Sequence, residues 1–177
     1  MITKLYADGG VIQKNPSEIG GTWAWIMVNE LDQHVDSSWG TITPAEARMP
    51  AITNNLTEML ALICGLERLP ANFAGTVYSD SKISLGRLHW GWKWSNIPTW
   101  MHRRFTSAIT RLDNWDMDRI QFIHLDGHPT QEQLASGIGK CGNPVSAWNV
   151  RCDKLCEEAG RDYQRSQSVI GFIPKMA

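Results

Sequence analysis

Four acidic residues occupy positions from which carboxylates could act together in catalysis. Asp8 and Asp80 each end a segment that is predicted to be a β-strand, and Glu58 lies near the start of a helical segment between them. Asp153 follows Asn149 by four residues in a later helical segment, so these two side chains share a helix face. Open α/β sheets bind ligands outside the carboxyl ends of their strands. We therefore expect the four carboxylates to converge at one edge of a sheet.

Such a cluster predicts a bound divalent cation. Carboxylates without basic partners repel one another, and each raises the pKa of the others. A cation removes this repulsion, and carboxylate oxygens are ligands that suit Mg²⁺ and Mn²⁺. Two ions could hold the attacking water and the departing oxygen of a phosphodiester. Each strand-end aspartate also has a structural alternative, because aspartate is common in turns and helix caps.

The helix that contains Glu58 has an apolar stripe. Its members are Leu56, Met59, Leu60, Ile63 and Leu66. This spacing predicts a helix with one face towards a core, and Glu58 lies one position off that face. A structural role is also open to Glu58, since Asn55 could be the N-cap of the helix and Glu58 the third residue of a capping box.

Several short motifs follow one another along residues 4–160. They are Asp8-Gly9-Gly10 with Asn15-Pro16 and Gly20-Gly21, Thr53-Asn54-Asn55 with Glu58 and Ala61, Ser79-Asp80-Ser81, Gly127-His128, and Asn149 with Asp153. Each motif is weak by itself, but the ordered set is specific. It resembles the type 1 ribonuclease H family.

The resemblance implies an endoribonuclease that cuts the RNA strand of RNA–DNA hybrids and leaves 5′-phosphate and 3′-hydroxyl ends. It implies that a catalytic quartet of Asp8, Glu58, Asp80 and Asp153 holds two Mg²⁺ ions, with Mn²⁺ as a substitute. His128 takes the position of a family histidine that assists proton transfer or product departure. A lone histidine is usually structural, but the glycine-flanked loop around His128 favours the catalytic role.

Contacts to the substrate are also implied by position. Gly9, Asn15, Asn54 and Asn55 match places where relatives touch the hybrid near RNA 2′-hydroxyls, the groups that distinguish RNA from DNA. Thr53 matches a place that holds a phosphate of the DNA strand. Asparagine and threonine are also common in turns and caps, so both roles are open to these side chains.

A basic and tryptophan-rich segment spans residues 81–112. It has no acidic residue and a local charge of plus six. Its cations are Lys82, Arg87, Lys93, Arg103, Arg104 and Arg111, and its tryptophans are Trp90, Trp92, Trp94 and Trp100. Cations neutralise phosphates and indole rings stack on bases, so we expect a nucleic-acid-binding surface. The alternation at 90, 92 and 94 also suits a half-buried strip, in which some rings belong to the core.

In the resemblance, this segment stands where many relatives carry a basic protrusion that grips the DNA strand. Here it is shorter and less lysine-rich. From this segment we predict nucleic-acid contacts by Lys82, Trp90, Trp92, Arg103 and Arg104. We also predict a contact by Asn149, which lies beside the carboxylates. Lys82 departs from the family pattern, because relatives often have an uncharged hydrogen-bonding residue there.

Composition limits the other possibilities. The 177 residues include 17 basic and 18 acidic ones, so nucleic acid must be attracted by a local patch. No run of about 18 apolar residues predicts a membrane span, and no secretory signal precedes the first strand, so we expect a cytoplasmic protein. We expect a catalytic domain over residues 1–165, a weakly ordered tail over 166–177, and hybrid affinity from the catalytic domain alone.

The cysteine spacing favours small buried residues over a disulfide framework. The four cysteines are Cys64, Cys141, Cys152 and Cys156, and none forms a C-x-x-C pair. A zinc site made by Cys141, Cys152, Cys156 and His128 is a weaker alternative.

The predicted fold is α/β and ribonuclease H-like, with a mixed five-stranded sheet flanked by helices. Three antiparallel strands come first and two parallel strands follow. The predicted strands are residues 2–8, 22–28, 35–42, 76–80 and 119–125, and the predicted helices are about 53–70, 81–89, 98–114 and 146–164. A glycine-bearing loop is expected over residues 127–144.

The resemblance thus implies a metal-dependent ribonuclease H that removes RNA primers and other hybrids during replication, and we expect a monomer. Two rivals stay open at this stage. One is a DNA nuclease or integrase-like domain on the same fold, and the other is a non-catalytic nucleic-acid-binding module. The long loop over residues 129–148 could close over the substrate, bind a partner or be flexible.

Overall fold

The structure, a computed structural model, describes residues 1–113, 115 and 119–170. The strands are β1 (Ile2–Val11), β2 (Gly21–Asn29), β3 (His34–Ile42), β4 (Gly75–Ser79) and β5 (Ile120–His124). The helices are α1 (Pro44–Ala47), α2 (Asn54–Arg68), α3 (Lys82–Leu88), α4 (Thr99–Thr110), α5 (Gln131–Ser136) and α6 (Ala147–Ile170).

One mixed sheet has the strand order β3-β2-β1-β4-β5. Strand β2 pairs antiparallel with both β1 and β3, whereas β4 pairs parallel with both β1 and β5. The parallel pairing of β1 and β4 brings the ends of these two strands to the same edge of the sheet. The predicted architecture of three antiparallel and two parallel strands is confirmed.

Apolar side chains form a core on each face of the sheet. On one face, α2 and α4 cover the sheet through residues such as Leu60, Ile63 and Phe105. On the other face, α6 packs on the sheet through apolar side chains such as Cys152 and Leu155. The described cysteines are free, and Cys152 is fully buried, as expected for a small core residue.

The predicted end of the first strand at Asp8 is wrong, because β1 continues through Gly9 and Gly10 to Val11. Both glycines continue the strand and pair with Trp23 and Thr22 of β2. A Cβ on Gly9 would lie 2.3 Å from the backbone nitrogen of Glu58. Glycine is therefore required at this position because β1 passes directly against the backbone of Thr57 and Glu58 in α2.

Helix α2 begins after Thr53, which is its N-cap, so the alternative of an N-cap at Asn55 is wrong. The Thr53 hydroxyl accepts a hydrogen bond from the backbone N–H of Leu56 at 3.3 Å. The capping-box explanation for Glu58 therefore does not apply, and this carboxylate is directed elsewhere.

The segment after β5 is more ordered than the predicted loop. It contains helix α5, whose N-cap Thr130 forms a capping box with Gln133. Helix α6 continues past the predicted end at residue 164, so the predicted domain end at residue 165 falls inside it. Residues 171–177 lie outside the described residues. Residue 114, where we expected the helix that starts at about residue 98 to end, also lies outside them.

Helix α4 itself ends at Thr110. No described helix combines the length and the apolar character that crossing a membrane requires.

Candidate active site

Asp8 and Asp80 lie side by side because each comes two residues after Tyr6 or Tyr78, which pair in the parallel strands β1 and β4. Asp8 is in β1, Asp80 comes directly after β4, and both line a cleft of about 250 Å³. Helix α6 supplies Asn149 and Asp153 to the same cleft. His128 lines it from the loop after β5.

Glu58 lies next to this cleft, near the start of α2. Its carboxylate accepts a hydrogen bond of 2.5 Å from the hydroxyl of Ser81. Ser81 also caps α3, since its hydroxyl accepts from the backbone N–H of Ser84. The hydrogen bond between Ser81 and Glu58 therefore joins the start of α3 to α2 beside the cleft.

Burial is the main reason why the carboxylates hold protons strongly. It raises the pKa of Asp8 well above its ordinary value, and the nearby charge of Asp80 raises it further. The backbone N–H of Gly9 donates to Asp8 at 2.7 Å and partly offsets this rise in pKa. Burial also raises the pKa of Glu58 to about 7, an effect that the Ser81 hydroxyl opposes.

The imidazole ring of His128 faces these carboxylates. Its Nδ1 lies 3.8 Å from Oδ2 of Asp153, and its side chain is 82% exposed. Burial raises the pKa of both Asp80 and Asp153, and His128 lowers both. Among the described residues, Asp8, Glu58 and Asp80 form no salt bridge with lysine or arginine.

This donor set fits a divalent metal ion. Buried carboxylates without a basic partner need a cation, and oxygen ligands suit Mg²⁺. Oδ1 of Asn149 is buried without a hydrogen-bond partner among the described residues, although the side chain of Asn149 hydrogen-bonds Asp80.

Within the described part of the chain, no three histidine, cysteine, aspartate or glutamate side chains are already gathered as ligands of one ion. Mg²⁺ usually keeps several waters and takes one or two carboxylates, so it does not require such a closed cage. The zinc alternative has no support, because Cys141 is exposed while Cys152 and Cys156 are buried in the core.

A family model described as RNase H matches residues 2–160. The chain belongs to the RNase H family. A ribonuclease H of Prosthecochloris aestuarii is 28% identical over 158 residues, which are 88% of this chain and 92% of that protein. A ribonuclease H of Rhodopirellula baltica is 27% identical, with 90% of this chain and 91% of that protein covered. The predicted family and the predicted enzyme class are confirmed.

Solved RNase H structures share the fold. An RNase H1 isolated from compost by a metagenomic approach superposes with a TM-score of 0.60 at 22% identity, covering 93% of this chain and 99% of that one. The structure of the compost enzyme in complex with an RNA/DNA hybrid gives a TM-score of 0.58 at 20% identity, covering 91% and 98%.

Three residues of this RNase H support the site, although the sequence predicted no site role for them. Ser81 holds Glu58, as described above. His124 contacts the backbone carbonyl oxygen of Asp80 through Nε2 at 3.1 Å. A Cβ on Gly127 would lie 2.5 Å from Oδ2 of Asp80, so glycine lets the loop approach that carboxylate. Ser81 and Gly127 are parts of the sequence motifs, whereas nothing in the spacing identified His124.

The predicted contacts to the hybrid gather at the start of α2. Oδ1 of Asn15 accepts from the backbone N–H of Asn54 at 3.3 Å, although the two residues are 39 positions apart. Oδ1 of Asn54 is buried without a hydrogen-bond partner among the described residues. Thr53 is exposed, and Gly9 lies against the next turn of the helix. Asn55 follows Asn54 on the half-buried helix start.

The basic segment is less available to nucleic acid than its charge implies. The guanidinium of Arg104 pairs with Glu67 at 2.5 Å, and that of Arg111 donates to the backbone carbonyl oxygen of Leu69 at 2.6 Å. Arg87 donates to the backbone carbonyl oxygens of Lys93 and Ser95. These three arginines therefore hold the protein together, which leaves exposed Lys82, Lys93 and Arg103 as the other cations.

The tryptophans of the same segment divide into two groups. Trp90 and Trp92 are 41% and 43% exposed, and their ring centroids lie 5.8 Å apart. Trp94 packs against Phe105, and the indole N–H of Trp100 donates to the backbone carbonyl of Ala47. The exposed pair is free to contact a ligand, whereas the other two rings belong to the packing.

Mg²⁺ is expected to raise the melting temperature of this RNase H more at about pH 8 than at about pH 5.5. Burial raises the pKa of Glu58 from 4.5 to about 7. This raised pKa stabilises the folded protein below about pH 4.5, and the stabilisation is lost as the pH rises through 7. Metal binding needs ionised carboxylates, so Mg²⁺ offsets the loss at the higher pH. The measurement is thermal unfolding with and without Mg²⁺.

The matched control is Glu58→Gln, which removes the titration and keeps the shape of the side chain. In this variant the metal-free melting temperature should change less between about pH 4.5 and 7. An equal effect of Mg²⁺ at both pH values in the wild type would contradict the role of these carboxylates as ligands.

Proposed function

We propose that this chain is a metal-dependent endoribonuclease that hydrolyses the RNA strand of RNA–DNA hybrids. The observation that carries the proposal is the convergence of Asp8, Asp80 and Asp153 on one cleft, with Glu58 beside it. Membership of the RNase H family and the hybrid bound by the related compost enzyme give further support.

The four carboxylates are the proposed ligands of two Mg²⁺ ions, and Mn²⁺ is a proposed substitute. When bound, such ions activate the attacking water and neutralise charge on the departing oxygen. Hydrolysis that releases the 3′-oxygen leaves 5′-phosphate and 3′-hydroxyl ends. Asn149 supports this arrangement from α6, because its side chain hydrogen-bonds Asp80 and keeps that carboxylate oriented.

His128 is the proposed proton-transfer residue. Its ring is exposed to solvent and faces Asp153, so it can exchange protons with water while it remains at the cleft. The same position allows it to help the product depart. No other histidine of the described residues lines this cleft.

The start of α2 is the proposed surface that recognises RNA. The proposed contacts to 2′-hydroxyls are Gly9, Asn15, Asn54 and Asn55, and the proposed contact to a phosphate of the DNA strand is Thr53, which is exposed. The paired exposure of Trp90 and Trp92 supports a second contact with the DNA strand, together with Lys82 and Arg103. Arg104 is proposed only as a support for this surface, because Glu67 already binds its guanidinium.

Because one chain supplies all four carboxylates, the proposed active form is a monomer. Its proposed substrates are the RNA primers and other hybrids that replication leaves, in the cytoplasm.

His128→Ala is expected to lower kcat about tenfold and to leave KM nearly unchanged, a smaller loss than that of an obligatory general acid or base. The ring is not a proposed metal ligand, so cleavage should continue with water as a slower proton carrier. Steady-state cleavage of a hybrid measures the effect. His34→Ala at the start of β3 is the control, since that exposed ring lies outside the cleft. Unchanged turnover of the first variant would remove the role of His128.

The experiment that tests the function compares one nucleotide sequence in four forms: RNA–DNA hybrid, duplex RNA, duplex DNA and single-stranded RNA. Each is incubated with Mg²⁺, with Mn²⁺ and with chelator. Cleavage restricted to the RNA strand of the hybrid, and only with metal, is the expected result. Cleavage of DNA would instead indicate a DNA nuclease, and binding without cleavage would indicate a nucleic-acid-binding module.

A further inference from the structure

The long loop over residues 127–144 is closed at its base by Asp126. Oδ2 of this aspartate accepts from the backbone N–H of Cys141 at 2.6 Å, and Oδ1 accepts from the side-chain amide of Asn143 at 2.8 Å. The backbone N–H of Asp126 donates to the carbonyl oxygen of Pro144 at 2.9 Å. The chain therefore leaves the end of β5 at Asp126 and returns to the same residue.

The returning segment packs directly on this carboxylate. Asp126 is only 7% exposed, and a Cβ on Gly139 would lie 2.4 Å from the Cβ of Asp126. The backbone N–H of Gly139 donates to the carbonyl oxygen of Asn143 at 2.9 Å, and Ile138 pairs with Pro144 in a short antiparallel bridge. The loop is thus an ordered structure built around one buried acidic side chain.

His128 lies just inside this closure, two residues after Asp126. Its backbone is left-handed, with φ of 50°, and among the described residues the polar contact of its ring is the one with Asp153 at 3.8 Å. Because an exposed ring with one long contact has little to hold it, its position depends on the backbone. That backbone is held on one side by Asp126 and at Gly127 by close packing on Asp80.

We propose that Asp126 is a positioning residue, which holds His128 at the cleft by closing the long loop. This inference rests on the catalytic role proposed for His128. The sequence left three roles open for the loop: closing over the substrate, binding a partner or being flexible. None of them is needed to explain why the loop is ordered, because holding His128 at the cleft already requires an ordered loop.

A carboxylate suits this role because it accepts two hydrogen bonds at once. The hydrogen bond from Asn143 keeps the pKa of Asp126 below its ordinary value, so the acceptor is ionised at neutral pH. Hydrogen bonds to a charged group are stronger than neutral ones. Without them, closure would rely on backbone hydrogen bonds alone, and the entropy of the open loop would favour its release.

The experiment measures hybrid cleavage by Asp126→Ala, His128→Ala and the double variant, in the full chain with Mg²⁺. We expect Asp126→Ala to lower kcat about tenfold with KM changed less than about twofold, as for a step after binding. In the His128→Ala background the same change should lower kcat less than about twofold further, because both act through one ring. The Asp126→Ala variant should also show faster amide exchange over residues 138–143.

Two further variants separate positioning from general damage. Asp126→Asn should keep kcat within about threefold of the wild type, because the Asn143 amide can rotate to accept a hydrogen bond from the new amide. Glu132→Ala, in exposed α5 of the same loop, should not change kcat.

The outcomes distinguish this inference from the proposal on which it rests. A slow His128→Ala variant together with a normal Asp126→Ala variant would overturn the positioning role alone. Losses that multiply in the double variant would also overturn it, since Asp126 would then act independently of His128. A His128→Ala variant with normal turnover would overturn the catalytic role of His128 first, and this inference with it.

Discussion

Asp8→Asn is expected to lower hybrid cleavage at least about a thousandfold, the scale seen when one member of a catalytic unit is lost, while hybrid binding stays within about threefold. Asparagine has nearly the same shape but lacks the charge that holds a divalent ion. Asp8 is buried beside Asp80, whereas the contacts predicted for Asn15 and Asn54 lie at the start of α2. Chemistry and binding should therefore separate.

Cleavage is measured with Mg²⁺ in excess, and binding is measured with chelator present so that no cleavage occurs. Asp80→Asn should behave in the same way, because its carboxylate lines the same cleft. The matched control is Asp36→Asn, which changes the same charge on exposed strand β3. Retained cleavage in both Asp8→Asn and Asp80→Asn would eliminate the metal-dependent mechanism.

The Asp8→Asn substitution, which should lower activity, is expected to raise the stability of the fold. Removing one buried negative charge relieves repulsion from Asp80 and the burial of a charged group. Without metal at about pH 8, Asp8→Asn should therefore melt higher than the wild type, by about 2–4 °C for each 1 kcal/mol gained. Mg²⁺ should raise the melting temperature of the wild type more than that of the variant.

Gly9→Ala is expected to destabilise the fold by about 3 kcal/mol, the upper part of the range for overpacking. The new Cβ would lie 2.3 Å from the backbone of both Thr57 and Glu58, where no flexible side chain can move aside. Strand β1 and helix α2 must then separate, which also moves Asp8 away from Glu58. Thermal unfolding and hybrid cleavage should both reveal the loss.

Gly160→Ala is the matched control, with an effect of opposite sign. Its Cβ would lie 3.6 Å from Cγ2 of Thr22, an ordinary contact distance, and the residue is inside α6. Alanine is favoured over glycine in a helix interior by up to about 1 kcal/mol, so this variant should be more stable. Equal stability of the two variants would contradict the close contact at Gly9.

The fold and the carboxylate cluster could be predicted because their signals are local or periodic. Alternating and helical patterns identify the described strands and the helices α2, α3, α4 and α6, and an aspartate near the carboxyl end of a strand is visible without knowledge of the partner strand. The parallel pairing of β1 with β4 then brings Asp8 and Asp80 together. The capping box of Thr130 and Gln133 is also a local sequence signal, so helix α5 could have been predicted from it, although we expected only a loop there.

The missed features depend on residues that are distant in sequence. Gly9 resembles a turn residue until Thr57, on a helix packed across the sheet, shows why a side chain cannot fit. Thr53 and Asn55 are both good caps by type, so side-chain chemistry alone does not choose between them. The observed helix start leaves the N–H of Asn54 for the side chain of Asn15, which lies 39 positions earlier.

The arginines of the basic segment carry a consequence for how ionic strength acts on this enzyme. Arg87, Arg104 and Arg111 have protein partners, so they displace few counterions from a phosphate backbone. The salt sensitivity of nucleic-acid affinity follows the number of phosphates that are neutralised, at about 0.9 in the logarithmic slope for each one. The contribution of this segment to hybrid affinity should therefore fall with salt concentration with the slope expected for three cations rather than for six. Stacking on the exposed indole rings of the segment should persist at high salt.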